Sequence, residues 1–250
     1  MAVWWQAGLW GLVAGAALLL GASAGWWLRV PPAVVAGVMA FGAGVLVSAL
    51  AFDLVDEAEH SGGLVPTVLG FLLGAVAYVG VNAVLARRGA RHRKRSTGYQ
   101  PSEEESAGSG LAIAFGSLLD GVPESVVLGL SVVEGGTVGL AVLAAVVVSN
   151  IPEGLSSAVG MKRAGRSAAY VFGVWAGIAL ACAVSAALGS LLLVDTSAAT
   201  VAVITAVAAG AILTMVADTM IPEAFQRTHI LTGLITSLGF LATFTLQRWG

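Results

Sequence analysis

The sequence predicts an all-α membrane protein, folded as a bundle of eight transmembrane helices. Composition is the first observation: 58% of the 250 residues are hydrophobic, 10% are charged, and the mean hydropathy is +0.92. Soluble domains contain about 25% charged residues, so a soluble domain is excluded. The second observation is that apolar residues form runs of about twenty, the length at which a helix crosses a bilayer. The third is that basic residues fall in alternate connections between these runs.

The apolar runs are taken here as spans in chain order. They cover roughly residues 5–28, 33–55, 64–86, 111–133, 136–161, 168–193, 199–221 and 230–248. The first run has no basic segment before it and no small-residue cleavage pattern, which predicts a retained span instead of a signal peptide. Glycine and alanine are abundant in nearly all the runs, and small residues let helix backbones approach closely. We therefore expect a tightly packed bundle.

The orientation of the bundle follows from its lysines and arginines. If the third connection lies inside the cell, all of the 12 lysines and arginines except Arg248 lie on that side. The positive-inside rule then predicts a cytoplasmic 87–110 loop and both termini outside. This loop is polar and has no hydrophobic periodicity, which predicts a flexible linker. Its basic half is suited to contact anionic lipid headgroups.

A short internal repeat links the two ends of the chain. Gly44 lies between Ala43 and Val45 and precedes Glu57 by thirteen positions, and Gly210 precedes Glu223 by the same thirteen. The repeat predicts that spans 1–3 and 6–8 are related three-helix units on either side of a central pair, a 3+2+3 arrangement. Because a three-helix unit and a central pair precede it, the second unit begins on the opposite side of the membrane and is inverted relative to the first. Inverted units are typical of transporters with a substrate site near the midplane.

The central pair of spans carries polar side chains where a membrane helix is deepest. Asp120 and Glu124 lie four residues apart in the fourth span, and Ser149 and Glu153 lie four apart in the fifth, next to Asn150. This spacing places each pair on one face of its helix. A charged side chain at this depth costs at least about 2.5–3.5 kcal/mol, so such residues usually face a bundle interior or a pathway.

Prolines within these spans add to the same pattern. Pro123 and Pro152 each lack an N–H group, so each leaves a carbonyl oxygen of the preceding turn without its helical partner. Carboxylate, amide, hydroxyl and carbonyl oxygens together are the ligands that a hard divalent cation takes. Two other interpretations stay open: the acids are protonated groups that serve packing, or they form a proton relay without metal. The single cysteine, Cys182, cannot form an intrachain disulfide.

At this point the sequence resembles a known family. The segment Asn-Ile-Pro-Glu-Gly at 150–154, the segment Asp-Thr-Met-Ile-Pro-Glu-Ala at 218–224 and the eight-span layout resemble the ZIP family of zinc and iron transporters. The resemblance implies a 3+2+3 bundle with its termini outside and a metal site between the fourth and fifth spans. It also implies that divalent metal moves towards the cytoplasm as one helix bundle slides against another, often in a dimer.

The chain departs from this family at two ligand positions. Asp120 and Ser149 stand where the resemblance implies histidine, and span 168–193 contains no acidic residue. Imidazole favours zinc, whereas oxygen ligands suit harder ions such as manganese. The departures therefore predict a single carboxylate-rich site whose preference for zinc is weakened.

The resulting prediction is a transporter of divalent metal ions of the zinc, manganese or iron class, multi-pass in a bacterial inner or plasma membrane. The predicted metal ligands are Asp120, Glu124 and Glu153, supported by Asn150 and Ser149. Four further acids of the second and seventh spans are expected to line the pathway: Asp53, Glu57, Asp218 and Glu223.

The metal is expected as a substrate, the lipid bilayer and a second copy of the chain as partners, and nucleic acid not at all. An intramembrane enzyme is not expected, because no histidine lies deep in a span beside a serine and the chain lacks a His-Glu-x-x-His motif. The alternative functions are a transport-inactive scaffold or sensor and a proton-relay protein.

Overall fold

The computed structural model describes residues 3–90, 93, 105, 109–135 and 138–249, and every regular element among them is a helix. The α-helices are α1 (Trp4–Trp27), α2 (Pro32–Ala49), α3 (Val55–Gly62), α4 (Leu64–Arg87), α5 (Ser109–Gly135), α6 (Leu140–Arg163), α7 (Ala168–Leu193), α8 (Ala198–Met215), α9 (Ile221–Thr228) and α10 (Thr232–Trp249). The predicted all-α class is confirmed.

Seven helical stretches in the described part of the chain are long and apolar enough to cross a membrane, whereas the sequence predicts eight spans. The difference lies in residues Ala198–Arg248, which form a continuous helical stretch of 51 residues. A straight helix of that length would measure about 76 Å, against a hydrocarbon core of about 30 Å. The stretch is interrupted by the 3₁₀ turn His229–Leu231, where His229 has φ 44° and ψ −120°. The backbone therefore leaves the α-helical path between α9 and α10.

Two segments of the chain share one plan of helices. In the first, the 18 residues of α2 run through a five-residue π turn, Leu50–Leu54, into the 8 residues of α3. In the second, the 18 residues of α8 run through a five-residue π turn, Val216–Met220, into the 8 residues of α9. Asp53 and Asp218, two of the predicted pathway acids, lie in these turns. π turns inside α-helices occur frequently at functional sites.

Closely packed helix pairs relate the same two segments. A Cβ atom at Gly44 of α2 would lie 1.8 Å from the carbonyl oxygen of Thr236 on α10, and one at Gly210 of α8 would lie 1.9 Å from that of Phe71 on α4. Neither position can hold a side chain without moving a backbone. Helix α2, which leads into the first π turn, therefore packs against α10. Helix α8, which leads into the second π turn, packs against α4.

Helices α5 and α6 carry the predicted site and are enclosed by their neighbours. Helix α1 packs against α6 and α7, and α7 packs against α5. At one end of the bundle Lys162 donates a hydrogen bond to the carbonyl oxygen of Trp26 at 2.6 Å, and Arg166 donates one to Ser109 Oγ at 2.7 Å. These bonds join the ends of α1, α5 and α6 where the basic residues lie, and we call this the basic end. The opposite end contains the α3–α4 connection, and we call it the acidic end.

Candidate metal site

The five predicted ligand residues are all buried in the centre of the bundle. On α5, Asp120 and Glu124 are each 2% exposed; on α6, Ser149 is 0%, Asn150 3% and Glu153 5% exposed. The two prolines lie inside α5 and α6, and both helices continue through them. A proline within a helix leaves one carbonyl of the preceding turn without its usual partner. The arrangement therefore concentrates oxygen atoms in an otherwise apolar interior.

Asp120 is bound by two residues that sequence reasoning did not associate with it. Arg93 donates two hydrogen bonds to its carboxylate, Nε to Oδ2 at 3.0 Å and Nη2 to Oδ1 at 2.8 Å. Tyr78 of α4 donates a third, from Oη to Oδ1 at 2.6 Å, and itself accepts one from Arg93 Nη2 at 2.8 Å. Two parallel bonds between a guanidinium and a carboxylate are the strongest form of ion pair.

The Arg93 side chain is itself enclosed by the protein, with an exposure of 1%. Its Nη1 donates to Asn82 Oδ1 at 2.8 Å, one turn along α4 from Tyr78. Burial has the largest single effect and acts to lower the pKa of the guanidinium, but the charge and hydrogen bonds of Asp120, with smaller contributions from Tyr78 and Glu153, together raise that pKa by more. The net pKa lies above the ordinary value of arginine, so a full positive charge is held beside Asp120.

Gly116 provides the space for this side chain. It lies one turn before Asp120 on α5, and a Cβ atom built there would lie 2.5 Å from Arg93 Cδ and 2.9 Å from its Nε. The nearest atoms to that position are all from Arg93. A glycine at 116 therefore leaves room for the guanidinium where it lies, and any side chain at 116 would force the Arg93 side chain to shift.

Ser149 and Asn150 also make defined contacts. Ser149 Oγ donates to the carbonyl oxygen of Val146 in its own helix at 3.0 Å, and Asn150 Nδ2 donates to the carbonyl oxygen of Ala14 on α1 at 2.9 Å. Both donors are used within the bundle. A serine hydroxyl and an amide carbonyl keep acceptor lone pairs, which are the atoms a cation would need.

The structure does not gather the three predicted carboxylates into one cluster. In the described part of the chain, no group of three or more His, Cys, Asp or Glu side chains is close enough to hold a metal ion. Asp120 faces Tyr78 and Arg93, so its two oxygens are engaged on the α4 side of α5. Its role as a metal ligand stays a prediction, and it requires this ion pair to open.

An acidic cavity leads from the acidic end towards Glu124. The outer cavity measures about 250 Å³ and is lined by Asp53, Asp56, Glu57 and eight other residues. A smaller inner cavity of about 10 Å³ reaches Glu124. The two cavities share three apolar lining residues, which form a narrow apolar constriction between them: Leu54, Val127 and Val142.

The four predicted pathway acids separate into two groups. Asp53 and Glu57 line the outer cavity, and Asp53 accepts a hydrogen bond from Gln247 Nε2 at 2.5 Å. Asp218 is exposed in the second π turn, and Glu223 is buried on α9 with 6% exposure. Neither belongs to the lining of the outer cavity. Helix α9 packs against α2, whereas α3 packs against α8.

Sequence reasoning missed four residues near the site. Asp56 lies in the outer cavity, and the repeat that singles out Glu57 and Glu223 does not include it, since Pro222 stands at the matching position. Tyr78 and Asn82 have a detectable signal, since two polar side chains four residues apart share one face of the 64–86 span. The sequence gives no signal for Arg93, because nothing distinguishes it from the other basic residues of the same run.

The structure describes part of the range 87–110, which the sequence predicts as a flexible loop. Arg87 ends α4, Ser109 begins α5, and Arg93 is buried against Asp120. An ion pair with a deep carboxylate holds Arg93 inside the bundle, where the sequence predicts a solvated charge. The other parts of this range, 91–92, 94–104 and 106–108, lie outside the described residues.

Chemically, the site offers oxygen ligands and one fixed guanidinium in a setting with little water. Carboxylates in such a setting bind a cation strongly once it has lost its water, and they discriminate by ligand type and geometry. No protein-family model matches the chain, and no curated protein matches it.

Proposed function

We propose that this chain transports divalent metal cations across a membrane, towards its basic end, as a divergent relative of the ZIP transporters. The observation that carries the proposal is the acidic outer cavity, followed by an apolar inner cavity whose lining includes the buried residue Glu124. The resemblance of segments 150–154 and 218–224 to that family supports the same function.

We also propose that the chain folds as eight spans in a 3+2+3 arrangement of inverted units. The stretch Ala198–Arg248 is too long for one crossing of a bilayer, and the turn at His229–Leu231 divides it into two. The identical 18, 5 and 8 residue plans of the two π-turn segments support a repeat. The reciprocal glycine contacts at Gly44 and Gly210 support its symmetry. A dimer with a second copy of the chain, which the family resemblance implies, is a further part of the proposal.

The proposed orientation places the basic end in the cytoplasm and both termini outside. All lysines and arginines except Arg248 belong to connections or helix ends on that side. The acidic cavity then opens to the outside, where its carboxylates raise the local concentration of cations. Import follows from this orientation.

Along the proposed pathway, the ion loses more of its bound water at each stage. Asp53, Asp56 and Glu57 attract the hydrated ion into the outer cavity. The apolar constriction has no polar groups to replace water, so passage requires that Leu54, Val127 and Val142 separate. Beyond it, Glu124 and Glu153 replace the lost water as ligands, with Asn150 and Ser149 and the carbonyls released by the prolines in support.

The test is metal flux into liposomes reconstituted with the purified protein, followed with a metal-sensitive dye trapped inside. Glu153→Gln keeps volume and hydrogen-bonding capacity but removes charge, so flux should fall at least ~10-fold, about 1.4 kcal/mol in binding. Glu59→Gln is the matched control, because its exposed side chain lies outside both cavities. Equal flux in the parent and in a Glu124→Gln, Glu153→Gln double variant would remove support for the site.

A transport-inactive scaffold or sensor is the second candidate. The observation that favours it is the Arg93–Asp120 pair, which occupies a predicted ligand with a permanent positive charge. In that case no metal accumulates in liposomes, whichever ion is supplied. A trapped pH indicator in the same liposomes detects the remaining alternative, a proton relay without metal.

A further inference from the structure

The Arg93 side chain has properties that are not needed by an arginine that only sets the orientation of a loop in the membrane. It is 1% exposed, it pairs with both oxygens of Asp120, and α5 leaves a glycine at position 116 to admit it. We propose that Arg93 is a tethered cation that competes with the transported metal ion for Asp120 and closes the basic end of the site while it is bound.

Competition follows from the geometry of the pair. A carboxylate offers about four lone-pair positions, and a guanidinium bonded to both oxygens takes two of them and repels any divalent cation that approaches the others. Tyr78 Oη takes a further position on Oδ1 at 2.6 Å. An ion that binds Asp120 must therefore displace Arg93.

Once displaced from Asp120, the Arg93 side chain should leave the interior, because a buried guanidinium without a counter-charge is strongly unfavourable. Arg93 lies beyond the end of α4 and before the start of α5, in the connection at the basic end. Solvent beyond the basic end is the place where its charge is stabilised. Ion binding at Asp120 would in this way open the side of the site from which the ion leaves.

This inference rests on the proposed function, and it is tested by equilibrium binding instead of flux. The probe is Mn²⁺ alone, titrated into detergent-purified protein at neutral pH. If Arg93 occupies Asp120 in nine of ten molecules, the apparent affinity is tenfold below the intrinsic one. Arg93→Gln should therefore bind Mn²⁺ about tenfold more tightly than the parent. Arg88→Gln, which removes an exposed charge from the same connection, is the control and should match the parent.

A second variant moves the Arg93 side chain away from Asp120 without removing any charge. In Gly116→Ala, the new methyl group would lie 2.5 Å from the present position of Arg93 Cδ, so the Arg93 side chain must shift away from α5. Alanine is favoured over glycine within a helix, so α5 itself should not suffer. We expect the same tenfold tighter binding, and no further gain when Arg93→Gln is added to it.

The outcomes separate the two proposals. Tighter binding in Arg93→Gln and Gly116→Ala, lost when Asp120→Asn is added, supports the competition. Binding by the parent with an affinity that neither variant changes refutes it, and leaves the pair as a structural bridge in a metal-binding protein. No binding by the parent or by either variant refutes the proposed function, and this inference with it.

Discussion

Loss of the Asp120 charge should destabilise the protein more than loss of any exposed acid. Asp120→Asn preserves the shape of the side chain, but it removes the charge that balances Arg93. Both partners are almost completely buried, at 2% and 1% exposure. The guanidinium would then stay in the interior beside an amide, or leave its cavity.

The magnitude follows from the number and kind of bonds affected. The carboxylate accepts three hydrogen bonds, two from a guanidinium and one from a phenol. Removal of one member of a buried ion pair costs about 3–5 kcal/mol, because the other charge is left uncompensated. Removal of both charges is often close to neutral. Arg93→Gln combined with Asp120→Asn should therefore recover most of the loss.

The assay is reversible unfolding in mixed micelles with a chelator present, so that metal does not contribute. Asp195→Asn is the matched control, because Asp195 is exposed in the α7–α8 connection and should change the free energy of unfolding by less than ~0.5 kcal/mol. A loss for Asp120→Asn no greater than that of the control would refute the ion pair. A double variant that is less stable than both single variants would refute the compensation.

The remaining predictions concern topology and metal preference. In a background where Cys182 is replaced by alanine, a cysteine at Ser102 should react with an impermeant maleimide only after the membrane is opened, and one at Gly136 should react in intact cells; the reverse pattern would overturn the orientation. Asp120→His together with Ser149→His should shift competition in the flux assay from manganese or ferrous iron towards zinc, because imidazole favours zinc. A parent that already imports zinc unaffected by a large excess of manganese would contradict this reasoning.

The helical architecture was predictable because the bilayer imposes it. Apolar runs of about twenty residues have few options in hydrocarbon other than a helix, and the described part of the chain has seven helical stretches long and apolar enough to cross a membrane. The span predicted at 168–193 has the same limits as α7, and that predicted at 64–86 differs from α4 by one residue. The π turns were not predictable, since Leu50–Leu54 contains neither proline nor glycine.

The repeat was also visible in the sequence, although only as short matches. Gly44 and Gly210 stood out by their equal distance from a glutamate. Their role as contact points between helices from opposite halves depends on which helices meet. Spacing along the chain shows which residues share one face of a helix. Which other helix packs against that face is decided by the tertiary structure.

The sequence by itself determined that the acids of α5 and α6 are buried. Their positions in the middle of apolar helices leave few other places for Asp120, Glu124 and Glu153, and the cost of charge in hydrocarbon makes them functional candidates. Only the tertiary structure decided what each of them faces. Glu124 meets a cavity from the acidic end, whereas Asp120 meets Arg93 and Tyr78 from outside its own helix. Local spacing sets depth and face within one helix, but an ion pair between residues 27 apart depends on how helices and their connections pack.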